Sequence, residues 1–165
     1  MAYNGKRLIR LDIVNGNPRS IVCAENLEQG LFVEIKGRAN NVHLGGTEEK
    51  PLADYEAYEV EKASADTARG LLMLHASVVN QYDERLFEVD FELKAGKVGR
   101  AYQPVMGDIV TIPKVASVEV GNKLALGADG LLVVSESNAI AIVEAIEDIN
   151  IPEADAQESM VIRFL

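Results

Sequence analysis

The sequence has few of the residues that usually form reactive or metal-binding sites. Its 165 residues include one cysteine, Cys23, two histidines, His43 and His75, and no tryptophan. A single cysteine cannot form an internal disulfide, and two histidines without a cysteine cluster do not fit the spacing of a structural zinc site. Cys23 stands among apolar neighbours, which favours a small buried residue over a nucleophile. We therefore expect no cofactor, no metal site and no enzymatic activity.

Long apolar runs and basic residues are also scarce. The longest apolar stretches, Leu131–Val134 and Ala139–Val143, are far shorter than the roughly 20 residues of a membrane-spanning helix, and no signal-type apolar segment follows the first residues. The chain has 16 Lys and Arg against 26 Asp and Glu, a net charge of -10. Nucleic-acid binding depends on phosphate neutralisation by basic side chains. We expect synthesis in the cytosol and neither a membrane nor a nucleic acid as partner.

The few basic residues are unevenly placed. Residues 1–20 carry a net charge of +3, which leaves -13 for the rest of the chain, and six acids without Lys or Arg lie between Glu144 and Glu158. Both clusters could be solvated surface, the usual fate of charge runs. Alternatively, Lys6, Arg7 and Arg10 form a basic foot that docks on an acidic surface.

Alternating apolar residues between turn signals predict a chain made of short strands. A hairpin is expected across Asn15-Gly16, and a second hairpin that could project from the core across Ala95-Gly96-Lys97. A tight turn at Asp129-Gly130 is expected to join the strands Lys123–Leu126 and Leu131–Val134. The region of Leu71 could be strand or helix, and we favour strand. Predicted strands are Leu8–Val14, Ser20–Ala24, Leu31–Ile35, Tyr55–Lys62, Leu86–Leu93, Val98–Tyr102, Ile109–Ile112, Lys123–Leu126, Leu131–Val134, Ala139–Ile146 and Met160–Leu165.

These patterns predict an all-β fold, a small β-barrel or β-sandwich with loops and at most one short helix. Residues 1–165 are expected to form a single domain, with a basic first strand within 1–20 and a possible satellite subdomain at 40–80. Four glycines that open strands or close turns are expected to be structural, because glycine adopts positive φ without steric cost: Gly30, Gly107, Gly121 and Gly130.

Several segments together resemble the capsid decoration, or cement, proteins of tailed bacteriophages. These segments are Glu25–Val33, Lys94–Tyr102, Gly107–Thr111, Val120–Leu126 and Asp129–Leu131. The resemblance implies a β-rich module without catalytic residues that binds the outside of an assembled shell of major capsid protein, often as a homotrimer. The protein would then be made in the host cytoplasm and reside on the virion exterior.

A second class of function stays open. A small β-barrel can bind a small molecule or carry out a reaction at a site built from loops that the sequence does not align in space. An internal cavity lined by converging polar groups would favour this class. A filled core with exposed apolar residues at its rim would favour a structural protein.

Overall fold

The computed structural model describes residues 9–38, 57–67, 92–150 and 155–165, together with the backbone of residues 71–74. This part of the chain is all-β, as predicted. Its helical structure is a single 3-10 turn, Ala128–Gly130, and it contains no helix with the length and apolar character needed to cross a membrane. The strands are β1 Arg10–Ile13, β2 Pro18–Cys23, β3 Leu27–Glu28, β4 Phe32–Arg38, β5 Ala57–Lys62, β6 Leu71–Leu74, β7 Glu92–Leu93, β8 Val98–Tyr102, β9 Ile109–Pro113, β10 Lys123–Leu126, β11 Leu132–Val134, β12 Ala141–Ile149 and β13 Gln157–Phe164.

Six strands form an open antiparallel sheet in the order β1-β9-β13-β12-β10-β11. The longest ladder joins β12 and β13, from Ala141 opposite Phe164 to Ile149 opposite Gln157. A bulge between Val143 and Ala145 shifts the alternation along β12. The two terminal strands, β1 and β11, each have one hydrogen-bonded neighbour in this sheet.

A second unit is a small five-stranded barrel. Its pairing runs from β2 through β5, β4, β6 and β8, and β8 pairs again with β2. The β2–β5 pair is parallel and the others are antiparallel. The short strands β3 and β7 form a separate two-stranded ladder.

The main core lies where the barrel meets the inner face of the sheet. Phe32, Ala63 and Tyr102 come from the barrel and pack in one cluster with sheet residues such as Ile112 and Met160. The rings of Phe32 and Phe164 meet edge to face, with centroids 6.2 Å apart. Residues of one face of the barrel strands, together with two from β3 and β7, form the second cluster: Ile21, Cys23, Leu27, Val33, Val60, Leu93 and Ala101.

Local expectations agree with the structure better than pairing expectations do. Lys123–Leu126 and the strand at Leu71 are found as predicted, and Cys23 is buried. The hairpin expected across Asn15-Gly16 is wrong, because β1 pairs with β9 whereas β2 pairs with β5 and β8. The described strands beside the Ala95-Gly96 turn also do not pair with each other, since β7 pairs with β3 and β8 with β2 and β6.

The region expected as a possible satellite contributes directly to the barrel. Of residues 40–80, the described strands are β5 and β6. β5 pairs with β2 and β4, and β6 pairs with β4 and β8. Most of the expected strand Leu86–Leu93 lies outside the described residues, which begin again at Glu92.

The four singled-out glycines all have positive φ, between 72° and 90°. Of Gly107, Gly121 and Gly130, Gly130 has the least space for a Cβ atom. Its N–H donates to the carbonyl of Ala63 at 2.8 Å, and a Cβ at this position would lie 2.4 Å from the carbonyl oxygen of Phe32. The turn between β10 and β11 is thereby held against the barrel strands. Gly107 has a φ of 90° but no heavy atom within 4 Å of a Cβ position.

Alanine substitutions should separate these two constraints. Gly107→Ala should lower the free energy of unfolding by about 1–2 kcal/mol, the typical penalty of left-handed backbone for a residue with a Cβ. Gly130→Ala should lower it by at least about 3 kcal/mol, because the contact with Phe32 adds to that penalty. Gly37, exposed in β4 with open space around it, is the control, and Gly37→Ala should change stability by about 0.5 kcal/mol or less. Urea unfolding measures all three, and equal stability of the Gly130→Ala and Gly37→Ala proteins would contradict the prediction.

Candidate docking site

The structure describes one of the three residues expected to form the basic foot. Lys6 and Arg7 lie outside the described residues, whereas Arg10 is the first residue of β1. The Arg10 guanidinium contacts Asp12 through Nε at 2.5 Å and Glu147 through Nη2 at 2.6 Å. Nη2 also donates to the Thr111 hydroxyl at 3.0 Å, and this hydroxyl donates to the second carboxylate oxygen of Asp12 at 2.7 Å.

The guanidinium of Arg10 therefore forms its ion pairs within its own sheet. The hydrogen bond to Asp12 is the main cause that raises the pKa of Arg10 above its ordinary value, and Glu147 adds to it. One cation faces two carboxylates, so the cluster has a net charge of -1 rather than a free positive charge. Of the expected basic foot, only the charge of Arg10 is described, and it is engaged.

Other cations of the six-stranded sheet are paired as well. Arg163 Nε contacts Glu144 at 2.5 Å, and Lys123 Nζ contacts Glu136 at 2.9 Å. Both pairs are partly exposed, and such pairs contribute little to stability. Their effect on recognition is larger, because a paired cation is a poorer anchor for an acidic partner.

Exposed aliphatic side chains occur on both edge strands of this sheet and also elsewhere on the described surface, for example at Val120 and Ile146. Leu11 and Ile13 are exposed on β1, and Val133 and Val134 are each 45% exposed on β11. Leu131, just before β11, is also exposed. The sequence signal was the uncharged run Leu131–Val134, which predicts a strand but not its position at an edge.

A buried carboxylate joins the two units from inside. Asp108 is fully buried, and its side chain accepts hydrogen bonds from the backbone N–H groups of Asn15 at 2.8 Å, Gly16 at 3.2 Å and Val105 at 3.0 Å. The Asn15 amide donates a fourth at 3.3 Å. Asn15 and Gly16 connect β1 to β2, and Val105 connects β8 to β9. Asp108 thus holds both of these chain crossings between sheet and barrel.

Tyr102 lies in the same buried region. It is 1% exposed, and among the described residues its hydroxyl has no hydrogen-bond partner. Burial raises the pKa of Tyr102 well above its ordinary value, and the charge of Asp108 raises it further. The phenol therefore stays protonated near neutral pH.

The surface also carries an open cleft of about 320 Å³ between the β3–β7 ladder and the turn before β11. Lys62 in this cleft already contacts Glu25, at 3.7 Å, and Glu92 contacts Lys94. Within the described ranges, no three His, Cys, Asp or Glu side chains are grouped so that they could hold a metal ion. The cleft is lined by Asn26, Glu28, Leu31, Lys62, Glu92, Asp129 and Leu131.

No family model, no curated protein and no solved structure matches this chain. Two features of the described part of the chain are distinctive: the aliphatic edge strand β11, and the buried Asp108 that holds the chain crossings between sheet and barrel.

Asp108→Asn should destabilise the protein strongly. An amide presents one oxygen and one N–H₂ group in place of two carboxylate oxygens, so at least one backbone N–H of this part-buried network loses its acceptor. We expect a loss of about 1–3 kcal/mol in the free energy of unfolding, since a hydrogen bond to a charged group contributes about 1.5–3 kcal/mol. Asp148→Asn, on the exposed side of β12, is the control. Chemical denaturation of both variants checks this, and matching midpoints would show that Asp108 does not hold the crossings.

Tyr102→Phe should leave stability unchanged or raise it by up to about 1 kcal/mol. The substitution removes a buried hydroxyl that has no partner while it keeps the ring in the core. Tyr102→Ala, which also removes the ring, should cost about 3 kcal/mol or more. Thermal and urea unfolding distinguish the two effects, and a loss above about 1 kcal/mol for Tyr102→Phe would mean that the hydroxyl is hydrogen-bonded.

Proposed function

We propose that this chain is a structural protein that binds the outer surface of an assembled tailed-phage capsid and stabilises it. Its partner would be the shell of major capsid protein, its expected state a homotrimer and its place the virion exterior. The resemblance of its strand and turn segments to capsid decoration proteins supports this proposal.

The packing of the molecule carries the proposal furthest. The side chains of the second cluster, inside the barrel, are apolar and buried, and the sheet and barrel share the main apolar core. Exposed aliphatic residues lie on the outer surface, and both edge strands of the sheet carry some of them. A filled core with apolar groups at its rim suits a protein that acts through its surface. Repeated weak contacts to a regular lattice would then provide avidity without a large interface for each copy.

A small-molecule function is the second candidate, and the cleft around Lys62 is the observation that favours it. Lys62 and three carboxylates of the cleft could orient a polar ligand above Leu31 and Leu131. The cleft is open to solvent, and Lys62 already contacts Glu25. These features fit ligand binding less well than the apolar edges fit protein contact.

Co-sedimentation with shells tests the capsid proposal. The purified chain is mixed with expanded empty shells of the phage that encodes it, and we expect saturable binding that is absent with unexpanded shells. Absence of binding to expanded shells across a range of protein concentrations would reject the proposal.

Charge reversal tests the basic foot separately. Lys6→Glu with Arg7→Glu should reduce shell occupancy at low salt and flatten its salt dependence, because charges on an interface rim act on encounter and are screened beyond about 8 Å at physiological salt. Arg10→Gln is the matched control, since the Arg10 charge is already engaged by Asp12 and Glu147. Equal occupancy of the double variant and the parent at low salt would eliminate the foot while leaving apolar docking open.

A further inference from the structure

We propose that the outer edge of β11 is a two-fold contact with a second copy of this chain, in which the two β11 strands pair antiparallel about Val133. The inference depends on the backbone register and charge of this edge. It does not rest on the capsid proposal, and it would be additional to any threefold contact.

The register of β11 leaves two residues with outward backbone groups. Leu124 lies opposite Val134, Ala125 opposite Val133, and Leu126 opposite Leu132. The ladder is bracketed by the bonds Gly127 N–H to Leu131 O at 2.8 Å and Ser135 N–H to Lys123 O at 3.0 Å. Because the hydrogen bonds of an antiparallel pair alternate along a strand, the backbone N–H and C=O groups of Val133 point toward β10. The N–H and C=O groups of Leu132 and Val134 therefore point away from the sheet, and no described strand pairs with them.

No side chain of β11 or of the residues on either side of it carries a charge that would prevent pairing. All residues of β11 are aliphatic, and Leu131 and Ser135 on either side are uncharged. Natural edge strands usually carry charges that prevent pairing. The opposite edge follows that rule, because Arg10 and Asp12 lie on β1. Within residues 9–38, 57–67, 71–74, 92–150 and 155–165, the β11 edge has neither a pairing strand nor a charge of its own.

A second copy matches this edge in one register better than in its neighbours. With Val133 opposite its own copy, Leu132 lies opposite Val134 of the partner in both directions. Each chain then satisfies two N–H and two C=O groups. If the register shifts by two residues, either Val134 lies opposite Val134 of the second copy or Leu132 lies opposite Leu132. In both cases only one outward-facing residue of each strand finds an outward-facing partner in the other strand. The edge is thus self-complementary, which is the requirement for an isologous contact.

The same register avoids like charges in a chain of net charge -10. Leu132, Val133 and Val134 are all uncharged, so no carboxylate within the paired strand lies opposite another. Glu136 is moreover paired with Lys123 in its own chain, at 2.9 Å. Two copies can therefore approach along β11 without placing one carboxylate against another.

The contact is small. A pair of three-residue strands is far below the roughly 1,200 Å² of a stable interface. We therefore expect a weak dimer that forms as concentration rises, with pairing on a crowded surface favoured by proximity.

Disulfide trapping tests the geometry directly. In the proposed register the two Val133 residues form a pair without mutual hydrogen bonds, with Cα atoms about 4.5 Å apart, which is within disulfide range. Val133→Cys in a Cys23→Ser background should give a covalent dimer on mild oxidation. Met106→Cys, at a position 81% exposed, is the control for random collision and should cross-link at least tenfold more slowly. Equal rates for the two variants would overturn the proposal.

Sedimentation equilibrium of the parent and two proline variants tests the pairing. Val134→Pro removes an outward N–H and should weaken the dimer at least tenfold while the fold is retained. Val133→Pro removes an N–H that faces β10, so it should instead lower the melting temperature. A parent that stays monomeric up to about 1 mM, or a dimer unaffected by Val134→Pro, would overturn the inference; a dimer that forms in a protein unable to bind shells would reject the capsid proposal alone.

Discussion

The arrangement of the two units depends on one buried carboxylate. The carboxylate of Asp108 accepts hydrogen bonds from backbone N–H groups of both the β1–β2 and the β8–β9 connections, where the chain passes between sheet and barrel. Gly16 completes this junction, because a Cβ there would lie 1.9 Å from the carbonyl oxygen of Gln103. The N–H of Gln103 in turn donates to Asn17 at 3.2 Å. Two crossings that would otherwise be independent loops are thereby tied to one point.

Fixing the crossings determines what the sheet exposes. β1 leaves the sheet for the barrel at Asn15, and the turn before β11 is held against Phe32 and Ala63 through Gly130. The first and last strands of the sheet thus belong to segments tied to the barrel, while their outer edges have no described strand as neighbour. The edges are consequences of the connectivity, and their difference in charge comes from the side chains. Arg10 and Asp12 occupy one edge, whereas β11 is aliphatic.

Strands and turns were predictable here because they depend on local sequence. The alternation in Lys123–Leu126 and the Asp129-Gly130 turn need only neighbouring residues, and Asp129 and Gly130 both have positive φ. Long-range pairing was not predictable, because the parallel contact of β2 with β5 joins segments nearly forty residues apart. The role of Asp108 is also largely non-local, since two of its three backbone donors, Asn15 and Gly16, are distant in the sequence. The Arg10–Asp12 pair did have a local signal, because residues two apart on a strand share a face.

The charge pattern changes how recognition has to be understood. Composition alone places an excess of positive charge in residues 1–20, but Arg10 is engaged by two carboxylates and Lys123 and Arg163 are paired on the same sheet. The described surface therefore attracts an acidic partner only weakly over long range, and salt at physiological concentration weakens this attraction further. Apolar contact and backbone pairing act only at short range and do not depend on ionic strength in this way. The proposed β11 contact is of this short-range kind, and its selectivity would come from the register of the strand.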